Sequence, residues 1–171
     1  MIPGLVIVNP NMPATHLITA AACRRSARLF NLLAVGTTLL SISLFSLGQM
    51  MPDRKLAFLP MAMSLPPIMI WLAASIFVYA SIAHHPDARV RHYNKWAGYR
   101  YYGLVGFMTI FANDLAHLPG GWWVVWGLFF LALVPWSLWD IWRAGKEQWR
   151  DLQVELTVHG QMAAPDYEKR R

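Results

Sequence analysis

The sequence predicts an all-α membrane protein with about four transmembrane helices and an amphipathic cytoplasmic helix at its C-terminal end. Hydrophobic residues make up 56% of the chain and charged residues only 14%, against about 25% charged residues in soluble domains. The apolar residues form long runs, and Lys and Arg lie in short blocks between them. This arrangement is typical of the topology signals of membrane proteins and does not favour a nucleic-acid partner.

Four apolar runs are predicted to cross the bilayer, over residues 29–51, 65–83, 101–118 and 122–141. A helix rises about 1.5 Å per residue, so runs of this length approach or exceed a hydrocarbon layer about 30 Å thick. Pro52 ends the first run, because proline breaks a helix interior. The third run is the least certain to span, since it contains Asn113 and Asp114.

The predicted spans divide the chain into three parts: an N-terminal arm over residues 1–28, a transmembrane domain over residues 29–142, and a cytoplasmic helix and tail over residues 143–171. Residues 1–22 of the arm are expected to be extended, because three prolines interrupt them. We expect the last helix to continue to about Leu156. Trp149, Leu152 and Leu156 would then share one face, opposite Glu147 and Arg150, as in an amphipathic helix.

Basic residues predict the orientation. Three Lys or Arg residues flank the first run, four lie between the second and third runs, and three follow the fourth, against two and none in the other loops. The positive-inside rule places both termini in the cytoplasm. We expect the membrane to be a bacterial inner membrane. The cations expected to meet lipid headgroups are Arg24, Arg25, Arg28, Arg89, Arg91 and Lys95.

Tryptophan residues mark both ends of the fourth run. Twenty residue steps separate the first and last of them, about 30 Å in a helix. Tryptophan favours the membrane interface, where its ring and its N–H are both satisfied. The residues predicted to form these two membrane-interface belts are Trp122, Trp123, Trp126, Trp136, Trp139 and Trp142.

The third run carries the strongest candidate site. Gly103, Gly106, Asn113 and His117 fall on one helical face, with Asp114 beside it. Asp114 and His117 could bind a metal, relay a proton or hold a quinone oxygen, since ionisable groups within a membrane are usually functional. The competing interpretation is that both meet interfacial water, while Gly103, Gly106 and Asn113 serve helix packing.

Other polar residues offer weaker candidates. His84, His85 and His92 form a possible metal cluster beside the second run. Asp140 is expected to form an ion pair with Arg143 or with an arginine of the middle loop. A haem would need axial histidines facing one another across the bundle, which this pattern does not provide. The single cysteine excludes an intramolecular disulfide.

These observations predict a non-catalytic subunit of a larger membrane complex, of the secretion, conjugation or electron-transfer type. No cofactor is assigned by the sequence, and the partners expected are the bilayer and other membrane subunits. A small redox or quinone-binding protein using Asp114 and His117 is the alternative. A transporter with a path along Asn31, Thr38, Ser41 and Asn113 is the second alternative.

Overall fold

A computed structural model describes residues 14–156. In chain order, the described residues form β1 (Ala14–Ile18), α1 (Ala20–Met50), α2 (Arg54–Ala62), α3 (Pro66–Ala83), α4 (Ala88–Ala116), α5 (Trp122–Lys146) and β2 (Leu152–Leu156). The helical fold class is therefore confirmed. Residues 1–13 and 157–171, about half of the predicted N-terminal arm and of the predicted C-terminal helix and tail, lie outside the described residues. The arm is not extended to its end, because α1 already begins at Ala20.

Within the described part of the chain, three segments are long and apolar enough to cross a membrane: Ala20–Met50, Arg54–Ala83 and Trp122–Lys146. The second combines α2 and α3. Helix α4 has 29 residues and begins well before the predicted start at residue 101. It is not among the three, because its first half carries the basic middle segment and its last turns carry Asn113 and Asp114. Hydropathy alone therefore does not establish the fourth predicted span.

Side chains next to the helix starts explain where the helices begin. Thr19 accepts a hydrogen bond from the backbone N–H of Ala22, and Asp87 accepts one from that of Arg89. Such caps satisfy N–H groups that have no partner inside the helix. Helix α5 follows Gly120 and Gly121, whose φ angles are 106° and 58°. This left-handed backbone favours glycine and lets the chain reverse sharply between α4 and α5.

Helix α1 is central and packs against every other helix. The face it turns inward carries small or polar side chains at spacings of seven and three residues, which is one to two helical turns. Asn31, Thr38, Ser41 and Gly48 are all buried on this face. At Gly48 an added Cβ would lie 2.9 Å from the backbone oxygen of Ala57, so glycine permits the close approach of α2. Small residues allow membrane helices to approach closely in this way.

The predicted continuation of the last helix to Leu156 is wrong. Helix α5 ends at Lys146, and Glu147 has an extended backbone. Leu152–Leu156 then pairs with Ala14–Ile18 as an antiparallel two-stranded sheet. The apolar residues at 152, 154 and 156 alternate with polar ones, which is the period of a strand. That short pattern was compatible with both structures, and pairing with the N-terminal segment selects the strand.

The end of the molecule where β1 and β2 pair, called here the strand end, has its own small core. Trp149 packs there on a cluster that includes Cys23, Val90 and Tyr93. Its indole N–H donates to the backbone oxygen of Ala144 at 2.8 Å. The guanidinium of Arg89 lies 4.7 Å from the Trp149 ring centre. These contacts attach the C-terminal segment to the helices.

We expect Trp149→Ala to release the C-terminal segment, because it removes the packing, the indole hydrogen bond and the cation–π contact together. The expected loss is about 2 kcal/mol, below the range for a fully buried tryptophan because this one is only half-buried. Faster amide hydrogen exchange in residues 152–156 would report it. Trp142→Ala, at an exposed position on α5, is the matched control. Equal exchange in the two variants would contradict this role.

Candidate functional site

Helix α4 has one face turned into the protein and one turned away from it. The inward face is made by Val90, Tyr93, Asn94, Ala97, Gly98, Tyr101 and Met108. The hydroxyl group of Tyr101 donates to the backbone oxygen of Ile68 at 3.2 Å, and Tyr102 shares a 3.0 Å hydrogen bond with Ser75. These contacts fix the rotation of α4 against α3. They also determine which residues remain uncovered.

The uncovered side of α4, called here the outer face, holds the residues that the sequence singled out. Gly103, Gly106, Ile110, Asn113 and His117 are all exposed. An added Cβ at Gly103 or Gly106 would meet no atom within 4 Å. Gly103, Gly106 and Asn113 therefore do not pack against the other described helices of this chain, and their predicted role in helix packing stays a prediction. The face carries small and polar residues that no other described part of the chain covers.

The glycine that does pack α4 is Gly98. A Cβ there would lie 2.5 and 2.8 Å from two ring carbons of Tyr79 on α3. The Asn94 side chain, one turn earlier, donates to the Tyr79 backbone oxygen at 3.1 Å. Gly98 lies in the polar segment before the predicted third span, so a search restricted to apolar runs misses it.

Asp114 and His117 lie together at the end of α4. The His117 backbone N–H donates to the backbone oxygen of Asp114, and His117 Nδ1 lies 2.7 Å from the backbone oxygen of Asn113. Both side chains are exposed. Within residues 14–156, no group of three or more His, Cys, Asp or Glu side chains is placed to hold a metal ion. Among the described residues, this pair therefore has no third His, Cys, Asp or Glu ligand.

The three histidines near the strand end do not share a common site. His85 Nδ1 accepts a hydrogen bond from the Asp87 backbone N–H at 3.1 Å. Arg91 donates to the backbone oxygen of His85 at 2.9 Å. The His92 ring instead lies against Trp96. His84, His85 and His92 therefore do not converge on one point, and the predicted metal cluster is not assembled in the described structure.

Burial lowers the pKa of His85. The nearby Arg91 lowers this pKa further, and Asp87 partly offsets both effects. As pH falls, the imidazole of His85 is therefore protonated in the unfolded chain before it is protonated in the folded one. The stability that neutral His85 contributes is complete above pH 6.5, the ordinary value of the group, and is lost progressively below it. We expect the protection of backbone amides at the start of α4, corrected for the intrinsic pH dependence of exchange, to fall on acidification.

His85→Asn tests that assignment, because the amide oxygen can accept the Asp87 N–H and does not titrate. The variant should lose the acid-induced fall in protection, while His16→Asn, at an exposed position of β1, should keep it. Unchanged acid sensitivity in His85→Asn would assign the effect to another group.

The six belt tryptophans divide into two groups. Trp126 is only 7% exposed and packs against Phe45 and Phe129 in the main core, so its prediction as a membrane-interface residue is wrong. The other five are 46–60% exposed, and an interfacial role for them stays a prediction. Trp126 differs because it lies on the side of α5 that faces α1.

Some of the basic residues predicted to meet lipid headgroups instead contact other parts of the protein. Arg89 donates to the Gln148 backbone oxygen, and Arg91 to that of His85, so both arginines hold the strand end together. Arg28 lies beside Gly145, and its Nη2 atom would be 3.2 Å from a Cβ added to that glycine. Four of the six are exposed: Arg24, Arg25, Arg89 and Lys95.

The residues proposed for a polar path do not share one. Asn31, Thr38 and Ser41 are buried on α1, whereas Asn113 is exposed on the outer face of α4. Thr38 donates to the Ala34 backbone oxygen of its own helix at 2.7 Å. The described helices therefore provide no continuous polar path through these four residues.

An apolar pocket of about 410 Å³ opens between all five described helices, α1 to α5. Phe45, Met61, Met108, Trp122 and Phe129 are among its lining residues, and Ser64 and Thr109 are the hydroxyl groups in it. Both hydroxyls are already used: each donates to a backbone oxygen of its own segment. Asp114 and His117 do not line this pocket, so the candidate redox pair and the apolar space are separate.

Sequence reasoning identified Asp140 as half of an ion pair and left its partner open. The structure pairs it with Arg100 of α4, the middle-segment alternative, while Arg143 lies 3.6 Å from Glu147. The Tyr93 hydroxyl also donates to Glu147 at 2.6 Å. Burial and this carboxylate raise the Tyr93 pKa, so the hydroxyl remains a donor.

No known family model matches the chain, and no curated protein or solved structure is significantly similar to it.

Proposed function

We propose that this protein is a non-catalytic, four-span subunit of a larger complex in a bacterial inner membrane, and that the outer face of α4 docks a transmembrane helix of another subunit. The pairing of β1 with β2 supports the fourth span. These strands precede α1 and follow α5. Three crossings would put them on opposite sides of the bilayer, and a fourth crossing by α4 lets them meet.

The observation that carries the docking proposal is the exposure of Gly103, Gly106, Asn113 and Asp114 on one side of α4. If α4 spans, this side faces lipid wherever no partner covers it. Polar groups are costly in hydrocarbon, and small residues permit close approach of a second helix. A helix of another subunit would cover both features at once. Secretion, conjugation and electron-transfer machinery are all possible hosts.

Site-specific photocrosslinking in the native membrane tests this proposal. A photoreactive residue replacing Phe107 lies beside the glycines, and one replacing Leu131 lies on the exposed side of α5. We expect the photoreactive residue at position 107 to crosslink reproducibly to one membrane protein, and the one at position 131 to crosslink to lipid. Gly106→Leu should abolish the Phe107 adduct, whereas Gly36→Leu, also at an open position, should not.

Purification in mild detergent provides the second readout. The proposal expects the crosslinked partner to co-purify and to be lost with Gly106→Leu. A protein that purifies alone with stoichiometric haem, quinone or metal, together with lipid adducts at both positions, would contradict it. That outcome would favour the redox alternative, in which Asp114 and His117 act.

A further inference from the structure

A cleft of about 260 Å³ lies between α4 and α5 near the strand end. Its lining residues are His92, Tyr93, Trp96, Arg100, Trp136, Trp139, Asp140 and Arg143. The cleft combines aromatic walls with ionisable groups, unlike the apolar pocket at the other end of the helices. This volume is below the range for drug-sized ligands and suits a compact polar group.

Two guanidinium groups, of Arg100 and Arg143, line the cleft with one carboxylate, of Asp140. A second carboxylate, of Glu147, lies 3.6 Å from Arg143 Nε but is not part of the lining. Asp140 accepts a hydrogen bond from Arg100 Nη2. The Arg100 and Arg143 side chains are 23% and 62% exposed, so both guanidinium groups remain accessible to an anion in the cleft.

The tryptophan residues that line the cleft indicate that the anion is a lipid headgroup. Trp96, Trp136 and Trp139 are 51–60% exposed, and tryptophan side chains favour the level of the lipid headgroups. The cleft lies at the basic end of α4 and α5, the end that the positive-inside rule assigns to the cytoplasm. A lipid there can place its phosphate against the guanidinium groups and its chains along Trp136 and Trp139.

We propose that this cleft is a specific site for one anionic phospholipid of the inner leaflet. The phosphate accepts hydrogen bonds from the accessible parts of the Arg100 and Arg143 guanidinium groups, while the Arg100–Asp140 pair holds the first guanidinium in place. Arginine suits this role because its planar group presents several donors to a phosphate. The two guanidinium groups favour a lipid with net negative charge over a zwitterionic one, whose headgroup brings a cation of its own.

Native mass spectrometry of the full chain in detergent tests the site. The protein is supplied with phosphatidylglycerol or phosphatidylcholine of the same acyl chains, and retained lipid is counted. We expect one phosphatidylglycerol to be retained in preference to phosphatidylcholine. Arg143→Gln removes a cation without breaking the Arg100–Asp140 pair, and should weaken phosphatidylglycerol retention about five-fold, the effect of one basic residue at an anionic membrane.

Arg150→Gln is the matched control, since it removes the same charge at the same end but outside the cleft. It should leave retention unchanged. Equal retention of the two lipids, or equal effects of Arg143→Gln and Arg150→Gln, would overturn the proposal. Displacement of the lipid by millimolar inorganic phosphate would also overturn it, by showing that the cleft serves a soluble anion.

Discussion

Replacing Gly98 by leucine is expected to destabilise the fold by about 3 kcal/mol, at the upper end of what overpacking costs. The space that a side chain needs is occupied by the ring of Tyr79. That ring cannot easily move, because it lies edge-on to Phe30 and Tyr102. The variant must therefore push α4 away from α3 and weaken the Asn94–Tyr79 hydrogen bond.

Gly103→Leu is the matched control, on the same helix but in open space. Thermal unfolding in detergent should show a large decrease in midpoint for Gly98→Leu and little change for Gly103→Leu. The same loss in both variants would mean that helix propensity or detergent contact, and not the fit against Tyr79, limits this position.

Asp140→Ala is expected to cost about 3 kcal/mol, because it leaves the Arg100 guanidinium without its carboxylate. The two side chains are only 15% and 23% exposed, so water compensates little of the loss. Removing both charges together should cost less, since an apolar pair of similar volume has no charge to desolvate. We therefore expect Arg100→Met with Asp140→Leu to be more stable than Asp140→Ala alone.

Asp114→Ala serves as the control for the ion pair, because that carboxylate is exposed at the far end of α4. Its unfolding midpoint in detergent should remain close to that of the parent protein. If Asp140→Ala were equally mild, or if the double variant were the least stable, the ion pair would not be what joins α4 to α5 here.

The helices were predictable because their apolar runs are long and their ends carry proline or glycine. The buried face of α1 was also visible, since Asn31, Thr38 and Ser41 recur at helical spacing. The start of α4 was not, because its first thirteen residues include four Lys or Arg residues and form a helix through contacts with the strand end and with α3. Tertiary packing, and not hydropathy, stabilises that half.

The candidate site was also predictable only in part. Spacing placed Gly103, Gly106, Asn113 and His117 on one face, and the exposure of all four agrees with that. Spacing could not show which way the face turns, because rotation depends on partners such as Tyr79 and Ile68, distant in sequence. The strand pairing was equally hidden, since five-residue segments gain their structure from one another.

The most direct test of the account is whether α4 crosses the membrane. Single cysteines replacing Lys55, Ala88, Leu118 and Gln148 in a Cys23→Ser background report each connection to an impermeant thiol reagent. The account predicts that positions 55 and 118 react from outside intact cells, and that positions 88 and 148 react only after permeabilisation. Reaction of positions 88 and 118 from the same side would contradict the four-span topology and the docking surface that depends on it.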